Sequence, residues 1–233
     1  MHPAAAESRD GFSARNEKTS GLQKGCAGEM TKAELTRDIL DREWNMFQQV
    51  QNVGGRACCQ DNEETFRLMR GAQFSAWNEE MLVSYRKDLI RAEETGENLL
   101  SEKYGYMMKS TYPDEYEQIQ DLLPPISTEK EKLVEQILAI EIRQTKTFRD
   151  MYPNLGKCGR PLTSTEDAGG ASVETYTRGE LLTYSEETLK LYFAYLCKLE
   201  QSRILFPMLV MKATVRASGY FSLNEAEMAC RRE

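Results

Sequence analysis

Two loops of this chain carry a glycine followed by an arginine: Gly55-Arg56 in "GGRACCQD" and Gly159-Arg160 in "GKCGRPL". Glycine lets a ligand approach the backbone closely, and a guanidinium offers a planar fork of donors that meets a carboxylate or phosphate through two parallel hydrogen bonds. Arg56 and Arg160 are therefore candidates for holding an anion. The competing use of the same letters is structural, each glycine ending a helix and each arginine capping its last carbonyls. Cys59 lies beside Arg56 and near a helix start, where thiol pKa values fall, which makes it a weak candidate nucleophile or redox thiol. Cys158 flanks the second loop. The only histidine is His2, so a Cys-His or Ser-His-Asp arrangement would have to draw its base from the extreme N-terminus.

A third set is polar residues embedded in apolar text: Glu43 beside Trp44, Gln73 with Trp77, and Glu174, Arg178, Glu180 and Tyr184 in "ETYTRGELLTY". Carboxylates, an arginine and tyrosines converging between helices can bind a polar ligand, or do acid–base work once burial raises a carboxylate pKa. Glu174 and Glu180 are the candidate acid–base groups. Gln73, Trp77, Arg178 and Tyr184 join Arg56 and Arg160 as candidate ligand contacts. Against this, Glu174 and Arg178 are four residues apart, the spacing of an ordinary helix-surface ion pair. The pairs Glu79-Glu80 and Glu186-Glu187 fall in the first turn of predicted helices, where the helix dipole is sufficient reason for them. No Cys-x-x-Cys, Glu-x-x-His, P-loop or dinucleotide fingerprint is present, so neither a metal nor a cofactor is expected.

The elements that must position these residues are helical. Thr31-Lys-Ala-Glu34 reads as a capping box ahead of Leu35, Ile39, Met46, Phe47 and Val50, a helix expected to stop near Gly54-Gly55. Asp61-Asn-Glu-Glu64 reads as a second box, opening a helix to about Ala76, and Asn78 starts a third that ends at Gly96. A fourth, "ENLLSEKYGYMMKST", is closed by Pro113, and Pro124-Pro125 breaks the chain at its midpoint. Thr128-Glu-Lys-Glu131 caps the next helix. After the loop "YPNLGKCGRPLTSTEDAGGAS" come "VETYTRGELLTY", a helix starting at Ser185, and "ILFPMLVMKATVRA". No stretch alternates as a strand does. Residues 1–30, with few large apolar side chains, are expected to be a disordered tail ahead of a folded unit beginning near Met30.

The chain also repeats itself. "FSAWNEEMLVSYRKDLIRAE" at 74–93 has a counterpart in "LLTYSEETLKLYFAYLCKLE" at 181–200. A slide of 107 residues pairs Gln73 with Glu180, Trp77 with Tyr184, Leu82 with Leu189, Tyr85 with Tyr192, Leu89 with Leu196 and Glu93 with Glu200. With small gaps, Gly55-Arg56 meets Gly159-Arg160. Two copies are fewer than a solenoid needs, so the expectation is a duplicated unit of about four helices packed around a pseudo-two-fold axis.

The phrases "DREWNMFQQVQNVGGRACCQDNEETFRLMRGAQFSAW" and "VETYTRGELLTYSEETL" resemble the bacterial domain of unknown function 4125. The resemblance runs from about Leu35 to Glu227. It implies a stand-alone bacterial protein and brings no activity with it. The second half carries "EIRQTKTF" where a counterpart of Trp44 would stand, so any site role of Trp44 would be asymmetric.

The fold expected is all-α, one helical domain over residues 31–233 made of two similar halves, about 31–122 and 126–233. A net charge of −7, spread along the chain, argues against a nucleic-acid footprint. No apolar run approaches the roughly 18 residues of a membrane span. Six cysteines without paired spacing fit free thiols in a cytoplasmic protein. The expected function is binding, or acting on, a small anionic or zwitterionic metabolite in a polar Arg/Glu/Tyr-lined cleft between the halves. The alternative is a protein-interaction module in which the same charges tie the halves together.

Overall fold

The computed structural model describes residues 30–51, 55–164 and 171–231. The segment expected to be a tail, apart from Met30, lies outside them, as does Gly54. Among the described residues there are eleven α-helices and no strand. They are α1 (Lys32–Gln48), α2 (Glu63–Ser75), α3 (Glu79–Thr95), α4 (Leu99–Thr111), α5 (Pro113–Ile119), α6 (Thr128–Met151), α7 (Pro153–Lys157), α8 (Val173–Leu181), α9 (Glu186–Gln201), α10 (Phe206–Ala217) and α11 (Leu223–Cys230).

Short polar side chains start most of these helices, accepting first-turn amides that have no partner inside the helix. Thr31 closes a full capping box with Glu34. Asn62, Asn78, Asn98, Ser127, Ser172, Ser185 and Ser222 cap α2, α3, α4, α6, α8, α9 and α11. Several details differ from the sequence reading: Ser127, and not Thr128, caps α6, and α7 lies in the stretch read as a loop. Asp61 closes a short 3-10 turn (Cys58–Asp61) and Asn62 caps α2 in its place. Pro113 and Pro153 open α5 and α7 as well as ending the preceding helices, because a proline at the first helical position has no amide to leave unpaired. Gly96 ends α3 in the left-handed region at φ 77°, where a side chain would be strained.

The apolar stripes of these helices meet in one large core. Leu35, Ile39, Leu82, Leu89, Ile137, Leu189 and Leu196 are buried in it, and at its centre Trp77 is surrounded by Phe74, Tyr85, Tyr184 and Tyr192 at centroid distances of 5.2–5.8 Å. A smaller cluster, built on Phe148, Leu155, Val215, Leu223 and Ala226, joins α6, α7, α10 and α11. The pairing of helices is reciprocal. α1 packs on α3, α2 and α4 as α6 packs on α9, α8 and α10; across the middle α3 meets α9, and α4 lies on α8 as α10 lies on α2.

The crossing of α4 and α8 is unusually close, and Gly179 is the reason. A Cβ there would stand 2.6 Å from Met107 Cγ and 2.9 Å from the Lys103 carbonyl oxygen. Since one of these is backbone, no rotamer change relieves the clash. Gly179→Ala is expected to destabilise the protein by roughly 1–3 kcal/mol in urea denaturation, the usual cost of overpacking a tight contact. A change under about 0.5 kcal/mol would show that the helices separate freely. This crossing is what brings Lys103 of α4 onto two side chains of α8.

Candidate functional site

A chain of charges and hydroxyls runs through the middle of the protein. Glu43, on the buried face of α1, accepts from Arg70 Nε and Nη2 at 2.8 and 2.5 Å and from the Tyr85 hydroxyl at 2.7 Å. The other end of the Arg70 fork, Nη1, donates to Gln73 at 2.6 Å and to Glu180 Oε1 at 2.8 Å. Glu180 also accepts from Gln73 Nε2 at 3.0 Å, the Tyr184 hydroxyl at 2.6 Å and Lys103 Nζ at 2.6 Å. Two carboxylates and two cations thus balance inside the core, and α1, α2, α4 and α8 are tied together.

Burial alone would push the Glu180 carboxyl up, but Arg70 and Lys103 override it and hold the group well below the usual carboxylate range. Burial pushes the Tyr85 and Tyr184 phenols well up, so they stay protonated donors. The second helix pair has its own version of one piece: the Tyr192 hydroxyl donates to Glu141 at 2.6 Å across α6 and α9, as Tyr85 does to Glu43 across α1 and α3. No cation among the described residues pairs with Glu141, and burial pushes its carboxyl up to about 7. Trp77 lies among these groups with its indole N–H unpaired and aromatic rings for neighbours.

The charge chain has an outer end. Lys103 Nζ lies 3.7 Å from the centroid of the Tyr176 ring, and the Arg160 guanidinium lies 5.1 Å from the same centroid. Tyr176 sits one turn before Glu180 on α8, so the two occupy one face, and it is half-buried. Tyr104, next to Lys103 on α4 and stacked near Phe47, faces Tyr176. The Lys103 charge pulls the Tyr176 phenol below the ordinary tyrosine range although burial opposes it, while burial pushes Tyr104 up.

Arg160 reaches from this point to an open cavity of about 430 Å³, lined by Arg149, Lys157 and Arg160 with Gly156, Gly159, Pro153 and Pro161. Arg149 Nη2 donates to the Arg160 carbonyl at 2.5 Å and so fixes the loop. None of the three cations makes an ion pair among the described residues. The chemistry of such a place is anion binding, since guanidinium and ammonium groups with no carboxylate partner among the described residues border a cavity with glycine backbone at its edge.

The residues singled out in the sequence separate into three groups. Gln73, Trp77, Glu180 and Tyr184 do come together, but in the filled core, where Trp77 and Tyr184 are each 1% exposed. None of the four lines either of the two surface cavities described, the one at Arg160 and the one at Phe221. Glu174 and Arg178 lie on another face of α8, where Arg178 pairs with Glu135 at 2.8 Å and with Glu174 at 3.2 Å. Arg56 is bound to Asp61 at 2.7 Å and donates to Gln48 and to the Gln60 carbonyl, holding its own loop. Arg160, and not Arg56, lines the open cavity described above. Cys59 is exposed and lies near Tyr104; Cys58, Cys158 and Cys197 are, like it, free thiols. No group of three or more His, Cys, Asp or Glu among the described residues is placed to hold a metal ion.

Arg70, Lys103, Tyr104 and Tyr176 were missed by the sequence reading. The signal was the interruption of an apolar stripe: Arg70 lies four residues after Phe66 and four before Phe74, and Lys103 lies between Leu99 and Met107 at the same spacing. A cation on such a stripe either reaches past it to solvent or is buried against a carboxylate partner.

No curated protein and no solved structure matches the chain. The family model described as Protein of unknown function (DUF4125) matches residues 33–228. These residues include every helix of the charge chain and the Arg160 cavity, and the protein is a member of that family.

Proposed function

We propose that the protein binds a small anionic or zwitterionic metabolite at the open cavity beside the second Gly-Arg loop. The observation that carries this reading is that Arg149, Lys157 and Arg160, without ion-pair partners among the described residues, line one cavity. The buried network of Glu43, Arg70, Lys103 and Glu180 is the frame that holds α8 and α4 in place beneath it. The metabolite cleft expected between the halves thus moves to their edge, because the polar residues between them are already satisfied by one another. Proposed with it are one folded unit from about residue 31, a duplication of a four-helix half, and a cytoplasmic setting. The duplication draws support from the reciprocal helix pairing and from the matched bonds Glu43–Tyr85 and Glu141–Tyr192. No helix among the described residues is long and apolar enough to cross a membrane.

The test is a thermal-shift titration of the full chain with inorganic phosphate, pyrophosphate and a panel of di- and tricarboxylates, repeated on Arg160→Ala. A ligand at 100 times its Kd adds about 2.7 kcal/mol, a rise of several degrees for a protein this size. The expected result is such a rise with one class of anion, abolished in Arg160→Ala while the unliganded melting temperature stays within about 2 °C. A rise that survives Arg160→Ala, or none with any anion, contradicts the reading. The protein-interaction alternative draws on a different place, the surface around Tyr152, Val215 and Leu223 where Phe221 is 89% exposed.

A further inference from the structure

We propose that the protein associates head to tail with a second copy of itself, the acidic segment 112–123 of one molecule seating Leu122 in the cavity beside Phe221 of the next. This association does not depend on the anion-binding reading. It starts from the two most exposed large apolar residues among those described, Phe221 at 89% and Leu122 at 81%. Exposed apolar side chains scattered singly over a surface need no explanation. These two differ because each stands among unpaired charges of one sign, and the two signs are opposite.

Leu122 ends the 3-10 turn Gln120–Leu122 that follows α5. Asp114, Glu115, Glu117 and Asp121 lie in the same segment, all exposed, and none of them makes an ion pair among the described residues. The segment contains no lysine or arginine. It is held from beneath: Leu123 packs over Gly105, where a Cβ would stand 2.8 Å from its Cδ2, and the Tyr106 hydroxyl donates to the Pro124 carbonyl at 2.8 Å. One leucine of the pair is thus used inside the chain, and the other is presented outwards on a fixed turn.

The receiving face has the reverse character. A cavity of about 200 Å³ is lined by Tyr152, Val215, Phe221 and Leu223 together with Lys212 and Arg216, and no carboxylate among the described residues lines it. Both cations are exposed and neither makes an ion pair among the described residues. The carboxylates of α11 are engaged by backbone, Glu225 accepting from the Phe221 amide at 2.7 Å and Glu227 from the Asn154 and Leu155 amides at 2.9 and 2.8 Å. Gly219 turns the chain at φ 92° and the Tyr220 amide donates to the Val215 carbonyl at 2.9 Å, so Phe221 too is presented on a fixed turn. Within one chain the faces belong to different parts of the fold, since α5 rests on α4 whereas α11 rests on α7 and α10. Between copies both are satisfied: Leu122 enters the apolar cavity while Glu117 and Asp121 come opposite Lys212 and Arg216. Because the two faces are different surfaces, the contact is heterologous and either extends into chains or closes into a ring.

The test is sedimentation velocity of the full chain at rising concentration, up to about 1 mM, in low salt and in salt of about 1 M, where charges are screened beyond about 3 Å. The average mass is expected to rise with concentration in low salt and to fall back towards the monomer in high salt. Leu122→Asp and Phe221→Asp each remove one face. Both positions are exposed, so each variant should melt with the wild type, and each alone should remain monomeric. Mixed in equal amounts the two variants should form a dimer and nothing larger, because each keeps the face that the other has lost. A wild type that stays monomeric at every concentration overturns the proposal and leaves the two faces to other partners. Association that survives either substitution, or a mixture of the two variants that stays monomeric, overturns the head-to-tail pairing.

Discussion

Arg70→Ala is expected to cost about 3–5 kcal/mol of folding stability, the usual penalty for breaking a buried ion pair by removing one partner. The substitution strands Glu43, which is wholly buried, and deprives Glu180 of one of its two cations. Lysine should restore only part of the loss, because one ammonium cannot give Glu43 two parallel bonds and still reach Gln73 and Glu180. The control is Arg178→Ala. Arg178 also meets two carboxylates, but at the surface, with Glu135 about half exposed, and its loss should stay within about 1 kcal/mol. Urea denaturation of the three variants makes the comparison. Equal, small losses for Arg70→Ala and Arg178→Ala would mean that the central network is wetter than its geometry implies.

Two carboxylates of the second half, Glu180 and Glu141, should also answer pH with opposite signs. Glu180 has its folded-state pKa lowered from 4.5; its contribution is fully present above the unfolded value and is lost as pH falls below it. Glu141 is the reverse case, raised from 4.5 to about 7. Its neutral form suits the fold, so its contribution is present below about 4.5 and is lost as pH rises through 7. Glu141→Gln replaces that neutral form with a permanent one. The variant should match the wild type near pH 5 and exceed it above pH 8 by on the order of 1–3 kcal/mol. Solvent at the partly exposed edge of the residue favours the lower end. Denaturation midpoints at the two pH values are the measurement, and a difference that does not change with pH would show Glu141 ionised and solvated throughout.

How much of this was legible in the sequence depended on whether a residue's role is local. Thr31 with Glu34, Asn78, Ser185 and Gly96 act within a few residues of themselves, and all four do in the fold what their neighbours predicted. Asp61 misled because its side chain had a better offer, the Arg56 guanidinium, leaving Asn62 to cap α2. Pro113 was read correctly as an end, but a proline that ends one helix can equally begin the next, and the stretch after Tyr152, read as a loop, opens with a short helix at Pro153. Gln73 and Glu180, matched by the 107-residue slide, turned out to be hydrogen-bonded to each other at 3.0 Å.

What could not be read was the partner of each buried charge. Glu43 and Glu180 stood out as carboxylates in apolar text. Arg70 and Lys103 did not, since a long cation near an apolar stripe ordinarily extends to solvent. The two Gly-Arg loops looked equivalent on paper; their difference lies in Asp61, which occupies Arg56, whereas Arg160 extends over Tyr176 towards a cavity with no carboxylate on its lining among the described residues. The Tyr176 environment is wholly tertiary, assembled from α4, α8 and the loop before it.

The measurement that bears most directly on the central claim is a backbone amide titration by nitrogen-15 NMR with inorganic phosphate. The account predicts saturable shifts confined to Gly156, Lys157, Gly159, Arg160 and the start of α8, lost in Arg160→Ala. Shifts clustered elsewhere, or none at millimolar phosphate, would contradict an anion site at the second Gly-Arg loop.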